Sequence, residues 1–204
     1  MAAIENRTYT PSEAAILSDV SVQVVHKAID EGPLESARIR KPGKRTLTEA
    51  DLIYLAAASI FDSRLVQLTD EAKDQLRKTI ASYWRLAKKP GKLRLFRGLE
   101  LDVKPVVARV RSKAALLDRA KKMVVRNPHI RGGEPVIRGT RIGVYEVAAM
   151  IQGASEKEIE EILSGYPTLR REQLDLAHLY AAAHPRRGRP PKHPWHDTRS
   201  AART

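Results

Sequence analysis

The sequence of 204 residues contains no cysteine. Because disulfide bonds, thiolate nucleophiles and thiolate ligands of zinc all require that side chain, its absence excludes each of them. The chain also lacks an apolar run of eighteen residues and a signal-peptide layout, so we expect a cytoplasmic protein rather than a membrane-spanning or secreted one. Aromatic residues make up only 5% of the chain, which favours small helical modules over one large core.

Sequence motifs of the common enzyme classes are missing as well. There is no nucleophile elbow, no P-loop and no dinucleotide-binding fingerprint. The six histidines are scattered, and the one close pair, His193 and His196, has neither cysteine nor a flanking pair of carboxylates to complete a zinc site. These absences predict a binding protein without a catalytic site, cofactor or metal ion.

Positive charge is abundant. The chain has 37 Lys and Arg against 24 Asp and Glu, for a net charge of +13 and a pI near 10.1. A protein of this charge is expected to bind an anionic partner, and nucleic acid is the commonest one.

Two short helices are predicted near the N-terminus. Thr10 and Glu13 form a capping box with Pro11 at the first helical position, and Ser21 caps a second helix after a tight turn. The predicted inward residues of the second helix are Val24, Val25 and Ile29. This layout is typical of a helix-turn-helix whose second helix enters the major groove of DNA. The residues expected to contact DNA from this segment are Ser21, Gln23, His26 and Lys27. For His26, a buried histidine is the alternative.

A basic hairpin is predicted over residues 36–46, with its turn at Pro42 and Gly43. We interpret it as a wing that contacts phosphates or the adjacent minor groove, and a merely solvated edge is the alternative. Its basic residues are Arg38, Arg40, Lys41, Lys44 and Arg45. Thr48, Glu49 and Asp51 then cap a helix that runs to about Phe61.

Residues 9–34 resemble the start of MerR-type or excisionase-type winged helices. One departure is Asp19, where those families often carry glycine. The resemblance implies a winged helix-turn-helix domain, which we place at residues 1–65.

The segment 66–125 predicts a helix opened by Thr69, a β-hairpin over about 92–103 and a helix over about 104–122. Tyr83 and Trp84 favour core or dimer contacts, and stacking on bases is the alternative. We assign this region to dimerisation.

Glycines and prolines crowd residues 127–142, so the sequence predicts two short extended pieces around a tight turn. Three helices are expected to follow, with apolar residues at helical spacing after Gly143, a capping box of Ser155 and Glu158, and a last helix that ends at Pro185.

Residues 127–184 resemble the bacterial domain of unknown function (DUF) family four-three-three. The matching residues are Asn127, Pro128, Gly132, Gly133, Pro135, Gly139, Thr140, Arg141, Gly153, Tyr166, Pro167, Tyr180 and Ala181. Arg170 departs from the Ser or Thr with which this family usually caps the last helix. The resemblance implies a VapB-type antitoxin whose partner is a PIN-like ribonuclease, and we place this domain at 126–185.

The tail, residues 186–204, is basic and rich in proline, with too few apolar residues to fold alone. One interpretation is an AT-hook around 187–190, and another is a solvated end. The interpretation we favour follows from the implied toxin: arginines bind the carboxylates that hold Mg²⁺ in the nuclease, and a tryptophan anchors the contact. The residues assigned to toxin binding are Arg186, Arg187, Arg189, Lys192 and Trp195.

The predicted fold class is mainly α with small β-hairpins (α+β). It combines an N-terminal winged helix-turn-helix with a C-terminal three-helix domain. The predicted function is that of a homodimeric antitoxin that binds operator DNA and neutralises a PIN-like ribonuclease toxin. A standalone winged-helix transcription regulator with an AT-hook-like arm is the alternative.

Overall fold

The computed structural model describes residues 7–30, 32–34, 45–61, 68–85, 91–96 and 99–186. Helices dominate this part of the chain and two small antiparallel hairpins accompany them, so the predicted α+β class is confirmed. The helices are α1 (Pro11–Ser18), α2 (Val22–Asp30), α3 (Glu49–Phe61), α4 (Asp70–Arg85), α5 (Lys104–Met123), α6 (Val144–Ile151), α7 (Glu156–Gly165) and α8 (Arg171–Ala183). The strands are β1 (Lys92–Phe96), β2 (Leu99–Asp102), β3 (Val124–Arg126) and β4 (Pro135–Ile137), paired β1 with β2 and β3 with β4.

The predicted capping boxes set the starts of α1 and α7. In α1 the carboxylate of Glu13 accepts the backbone N–H of Thr10 at 2.8 Å, and the Thr10 hydroxyl accepts the N–H of Glu13 at 3.3 Å. Ser155 and Glu158 repeat this arrangement in α7. Each box satisfies N–H groups that the first turn of a helix leaves without partners.

Helix α8 begins without a Ser or Thr cap. The side chain of Gln173 instead accepts the backbone N–H of Arg170 at 2.9 Å, which supplies half of a capping box. The departure at Arg170 is therefore compensated from the third residue of the helix.

In α2, one of the predicted inward residues is wrong. Val25 and Ile29 are fully buried, whereas Val24 is 42% exposed. Successive residues of a helix are turned by about 100° from one another, so a face centred on the four-residue spacing of Val25 and Ile29 leaves Val24 outside. The Ser21 hydroxyl accepts the N–H of Val24 at 3.2 Å, which confirms Ser21 as the cap.

Two apolar cores organise the described residues. The first core contains residues of the four helices α1, α2, α3 and α4, of the β1–β2 hairpin and of most of α5. Two of its members, Tyr9 and Leu47, form an antiparallel bridge whose N–H to O distances are both 2.8 Å. Tyr83 packs against this core. The second core lies between α6, α8, β4 and the last turn of α5. Helix α5 contributes to both, and Ala183 of α8 reaches back into the first.

The domain boundaries at 65, 125 and 185 and the dimerisation role of residues 66–125 stay predictions. Within the residues described, no helix combines the length and apolar character needed to cross a bilayer.

Asp19 ends α1 in the left-handed conformation that glycine favours, with φ 57° and ψ 38°. Its backbone N–H donates to the carbonyl of Ala15, and its carboxylate forms an ion pair with Lys113 of α5 and lies 3.7 Å from Arg109. The turn therefore has the backbone geometry that glycine would give, with a carboxylate added that attaches it to α5.

We expect Asp19→Ala to destabilise the fold more than Asp19→Gly, by about 1 kcal/mol, because only alanine retains the steric cost of positive φ. Asp74 is the matched control, since it also contacts two cations, Lys78 and Arg77, but lies inside α4. There the order should reverse, because glycine inside a helix costs about 1 kcal/mol relative to alanine. Urea unfolding followed by circular dichroism measures all four variants. An equal loss for both Asp19 variants would contradict the assigned turn geometry.

Candidate nucleic-acid interface and tail root

One side of α2 is open to solvent. Its exposed residues include Gln23, Lys27 and two valines, Val22 at 38% and Val24 at 42% exposure. The opposite side is anchored in the first core by Val25 and Ile29. Val22 and Val24 therefore stay partly exposed to solvent, on the side of α2 that faces away from the first core.

His26 and Arg45, both expected to contact DNA, contact each other. The Nη1 atom of Arg45 lies 3.0 Å from Nδ1 of His26, and since a guanidinium only donates, this ring nitrogen accepts. Two further atom pairs join Arg45 to the carboxylate of Asp30, at 2.8 and 3.1 Å. Arg45 therefore attaches the segment before α3 to the exposed helix α2.

The structure brings together Ser21, Gln23, His26, Lys27 and Arg45 on or beside α2. Four other residues expected to bind DNA lie outside the described residues: Arg38, Arg40, Lys41 and Lys44.

Helix α5 places further positive charge beside the turn before α2. Lys113 and Arg109 both approach the carboxylate of Asp19, and Nζ of Lys113 is also 3.5 Å from the carbonyl of Ile16. Sequence reasoning missed these two residues as neighbours of α2. Their four-residue spacing, which puts them on one face of α5, was the available signal.

Charge is divided unevenly along the chain. Residues 124–181 contain seven Lys and Arg against eight Asp and Glu, whereas residues 1–123 contain 24 against 15 and residues 186–204 contain six against one. The excess of positive charge therefore lies in residues 1–123 and in residues 186–204.

The start of the tail is held against α6. The Tyr145 hydroxyl donates to the carbonyl of His184 at 2.6 Å, and the guanidinium of Arg186 lies 4.7 Å from the centre of the Tyr145 ring. Arg186 also pairs with Glu134 at 3.3 Å, and partial burial raises the pKa of Tyr145. We call Tyr145, Glu134, His184 and Arg186 the tail root. The other residues assigned to toxin binding, Arg187, Arg189, Lys192 and Trp195, lie outside the described residues.

The glycine-rich loop before β4 supports the tail root. Arg131 makes two hydrogen bonds to Glu146 of α6, and its guanidinium lowers the pKa of that carboxyl. Arg131 also lies 3.7 Å from Glu134, which connects this ion pair to Arg186. A Cβ at Gly143 would lie 3.2 Å from the Glu146 carboxylate and 3.3 Å from the Arg131 guanidinium, so glycine leaves room for the pair.

Helices α1, α5 and α8 meet at a buried carboxylate. Glu13 is 4% exposed, and its Oε1 lies 2.5 Å from Nζ of Lys121 and 3.6 Å from Nε2 of His184. Burial lowers the pKa of His184, partly offset by Glu13. The sequence indicated Glu13 as a helix cap, but not its contacts with two distant helices. Nowhere in the described ranges is a group of three His, Asp or Glu residues arranged to hold a metal ion.

Comparison with known proteins identifies the C-terminal module. Residues 124–181 match the family described as "Protein of unknown function (DUF433)", which confirms that part of the resemblance. The chain is similar to "Uncharacterized protein y4eO" of Sinorhizobium fredii (strain NBRC 101917 / NGR234), with 32% identity over 186 residues that cover 87% of this chain and 82% of that protein. No solved structure matches. The chain therefore belongs to the y4eO family and carries a DUF433 domain at residues 124–181.

Proposed function

We propose that the chain is a cytoplasmic antitoxin that binds operator DNA through α2 and neutralises a PIN-like ribonuclease with its basic tail. The observation that carries the proposal is the exposed side of α2, whose opposite side is fixed in the core. Helices α1 and α2, joined by the left-handed turn at Asp19, form a helix-turn-helix whose second helix enters the major groove.

The side chains on α2 suit base edges and phosphates. A glutamine such as Gln23 makes paired hydrogen bonds to adenine, and the methyl groups of Val22 and Val24 fit the methyl group of thymine. Lys27, farther along the same helix, contacts a phosphate. The exposure of both valines supports this assignment, because the fold places them in solvent rather than in the core.

In this proposal, the basic segment before α3 acts as the wing expected from the sequence. Arg45 holds its end against α2 through Asp30 and His26, and its other basic residues reach neighbouring phosphates. Arg109 and Lys113 of α5 add positive charge beside the turn at Asp19. A homodimer then reads an inverted repeat with half-sites one helical turn apart or a multiple of it.

Toxin neutralisation is assigned to the tail. Residues 186–204 carry six Lys and Arg, and a guanidinium matches the paired oxygens of the carboxylates that bind Mg²⁺ in a nuclease. Arg186 starts the tail at the tail root, and we assign the further contacts with the carboxylates to Arg187, Arg189 and Lys192. Trp195 supplies the apolar anchor.

We expect Gln23→Ala to weaken binding to duplex DNA from upstream of the chain's own reading frame by about 1–3 kcal/mol, because one base contact is lost. Lys27→Ala should lower the salt dependence of binding, reducing the slope of log K against log salt by about 0.9. Fluorescence anisotropy over a range of salt concentrations measures both effects. Gln75→Ala, on the exposed side of α4, is the control and should bind like the unchanged protein. Equal affinity for all three variants would exclude α2 as the reading helix.

We expect Arg187→Gln combined with Arg189→Gln to abolish inhibition of the nuclease encoded by the neighbouring reading frame, since the carboxylates then lose their cationic partners. Arg199→Gln combined with Arg203→Gln removes the same charge from the end of the tail and should leave inhibition intact. Nuclease assays on labelled RNA compare the two pairs, and anisotropy checks operator binding. Two results together would favour the standalone regulator with an AT-hook-like arm: the Arg187→Gln, Arg189→Gln variant loses operator binding, and the unchanged protein inhibits no neighbouring nuclease.

A further inference from the structure

An open groove with both apolar and polar lining runs between the end of α6 and the exposed side of α7. Its volume is about 470 Å³, and its lining includes Met150, Gly153, Ala154 and Ile162. Met150 is 38% exposed. No residue of α7 is fully buried: Ile159 and Leu163 are partly buried against the second core, whereas Ile162, also partly buried, lines the groove. Met150 and Ile162 are therefore the large apolar side chains that line this groove.

The rim of this groove is acidic. Glu158 and Glu161 line it, and α7 carries four glutamates against the single lysine at 157. Glu158 stays in place because it accepts the N–H and hydroxyl of Ser155, whereas Glu156 is paired with Arg171 of α8. Such a groove is complementary to a basic segment that also carries an apolar side chain.

The chain itself contains a segment of this chemistry. Residues 187–204 hold five Lys and Arg, one Asp, three prolines and Trp195. Proline-rich segments favour the extended polyproline II helix, which binds apolar grooves at a low entropic cost. Methionine is an adaptable partner for an aromatic ring.

The length of the tail allows this contact within one chain. Arg186 is held beside Tyr145 at the start of α6, and the groove lies at the other end of this eight-residue helix, about 12 Å away along its axis. Trp195 lies nine residue steps after Arg186, a distance of about 28 Å for a polyproline II segment. The length of chain up to Trp195 therefore exceeds the distance from Arg186 to the groove.

We propose that residues 187–204 dock in the α6–α7 groove of their own chain, with Trp195 against Met150 and Ile162 and the basic residues against Glu158 and Glu161. This contact goes beyond the proposed function, because it gives the tail an internal partner when no nuclease is bound. A nuclease or a DNA groove must then displace the tail before it binds the same arginines.

The absence of cysteine makes a direct test possible, because one introduced cysteine gives one labelled position. Bimane attached at Gln152→Cys lies at the groove, and bimane emission is quenched by tryptophan in contact with it. If most tails are docked, emission should fall below about half of that of the same labelled chain carrying Trp195→Phe. Label at Ser112→Cys, on the exposed side of α5, should give emission that does not depend on Trp195.

Two neighbouring glutamates give a matched pair for the charge contribution. Glu161→Lys, in the groove lining, should abolish the quenching that depends on Trp195. Glu160→Lys makes the same change next to it but outside the lining, and should retain most of the quenching. Raising the ionic strength to about 1 M, where the Debye length is about 3 Å, should weaken docking in the unchanged protein.

The outcomes distinguish the possible occupants. Emission independent of Trp195 would overturn the proposal, and so would quenching that survives Glu161→Lys. Quenching that increases with protein concentration would place the tail of a second copy in the groove and would overturn docking within one chain. Circular dichroism confirms that each variant is folded. Because neither DNA nor nuclease is present, failure here leaves the tests of operator binding and nuclease inhibition unaffected.

Discussion

The contact on which the other features depend is the buried carboxylate of Glu13. It caps α1, and it also joins α1 to Lys121 of α5 and to His184 at the end of α8. A buried carboxylate is stable only when its hydrogen-bonding capacity is met, so these three helices are held in one arrangement. The exposed helix α2 and the tail root are consequently parts of the same body: α1 precedes α2 directly, and His184 belongs to the tail root.

This arrangement gives the DUF433 domain a defined structural role in the proposed function. The domain is close to neutral, in contrast to the basic residues before and after it. Its glycine-rich loop supports Glu134 and Glu146, and these carboxylates engage Arg186 and Arg131 at the point where the tail begins. In our account the domain presents a basic tail, while DNA contacts come from the N-terminal part of the chain.

Local features of the fold could be predicted from the sequence, because their causes lie within a few residues. The capping boxes at Thr10 and Ser155, and the helix ends set by glycine and proline, are of this kind. The predicted inward position of Val24 is wrong, because valines at 22, 24 and 25 are compatible with more than one buried face of α2, and packing against α1 determines which face is buried.

Contacts between distant segments could not be predicted in the same way. The sequence contains Asp19, Arg45 and Arg186 as charged residues, but nothing in their neighbourhood specifies Lys113, Asp30 or Glu134 as partners. The candidate site was therefore predictable as a set of residue types on α2 and in the tail. The contacts that hold this site in place, from α5 and from Glu13 to Lys121 and His184, became visible only in the three-dimensional structure.

The most direct test of the account is amide hydrogen exchange, measured by mass spectrometry, in the full chain and its Glu13→Gln variant. If the contacts of Glu13 with Lys121 and His184 hold α1, α5 and α8 together, amide exchange in the variant should become faster in α1, in the last turns of α5 and at the end of α8. Exchange in α4 should stay unchanged. Faster exchange confined to α1 would contradict the account, because Glu13 would then be no more than a local helix cap.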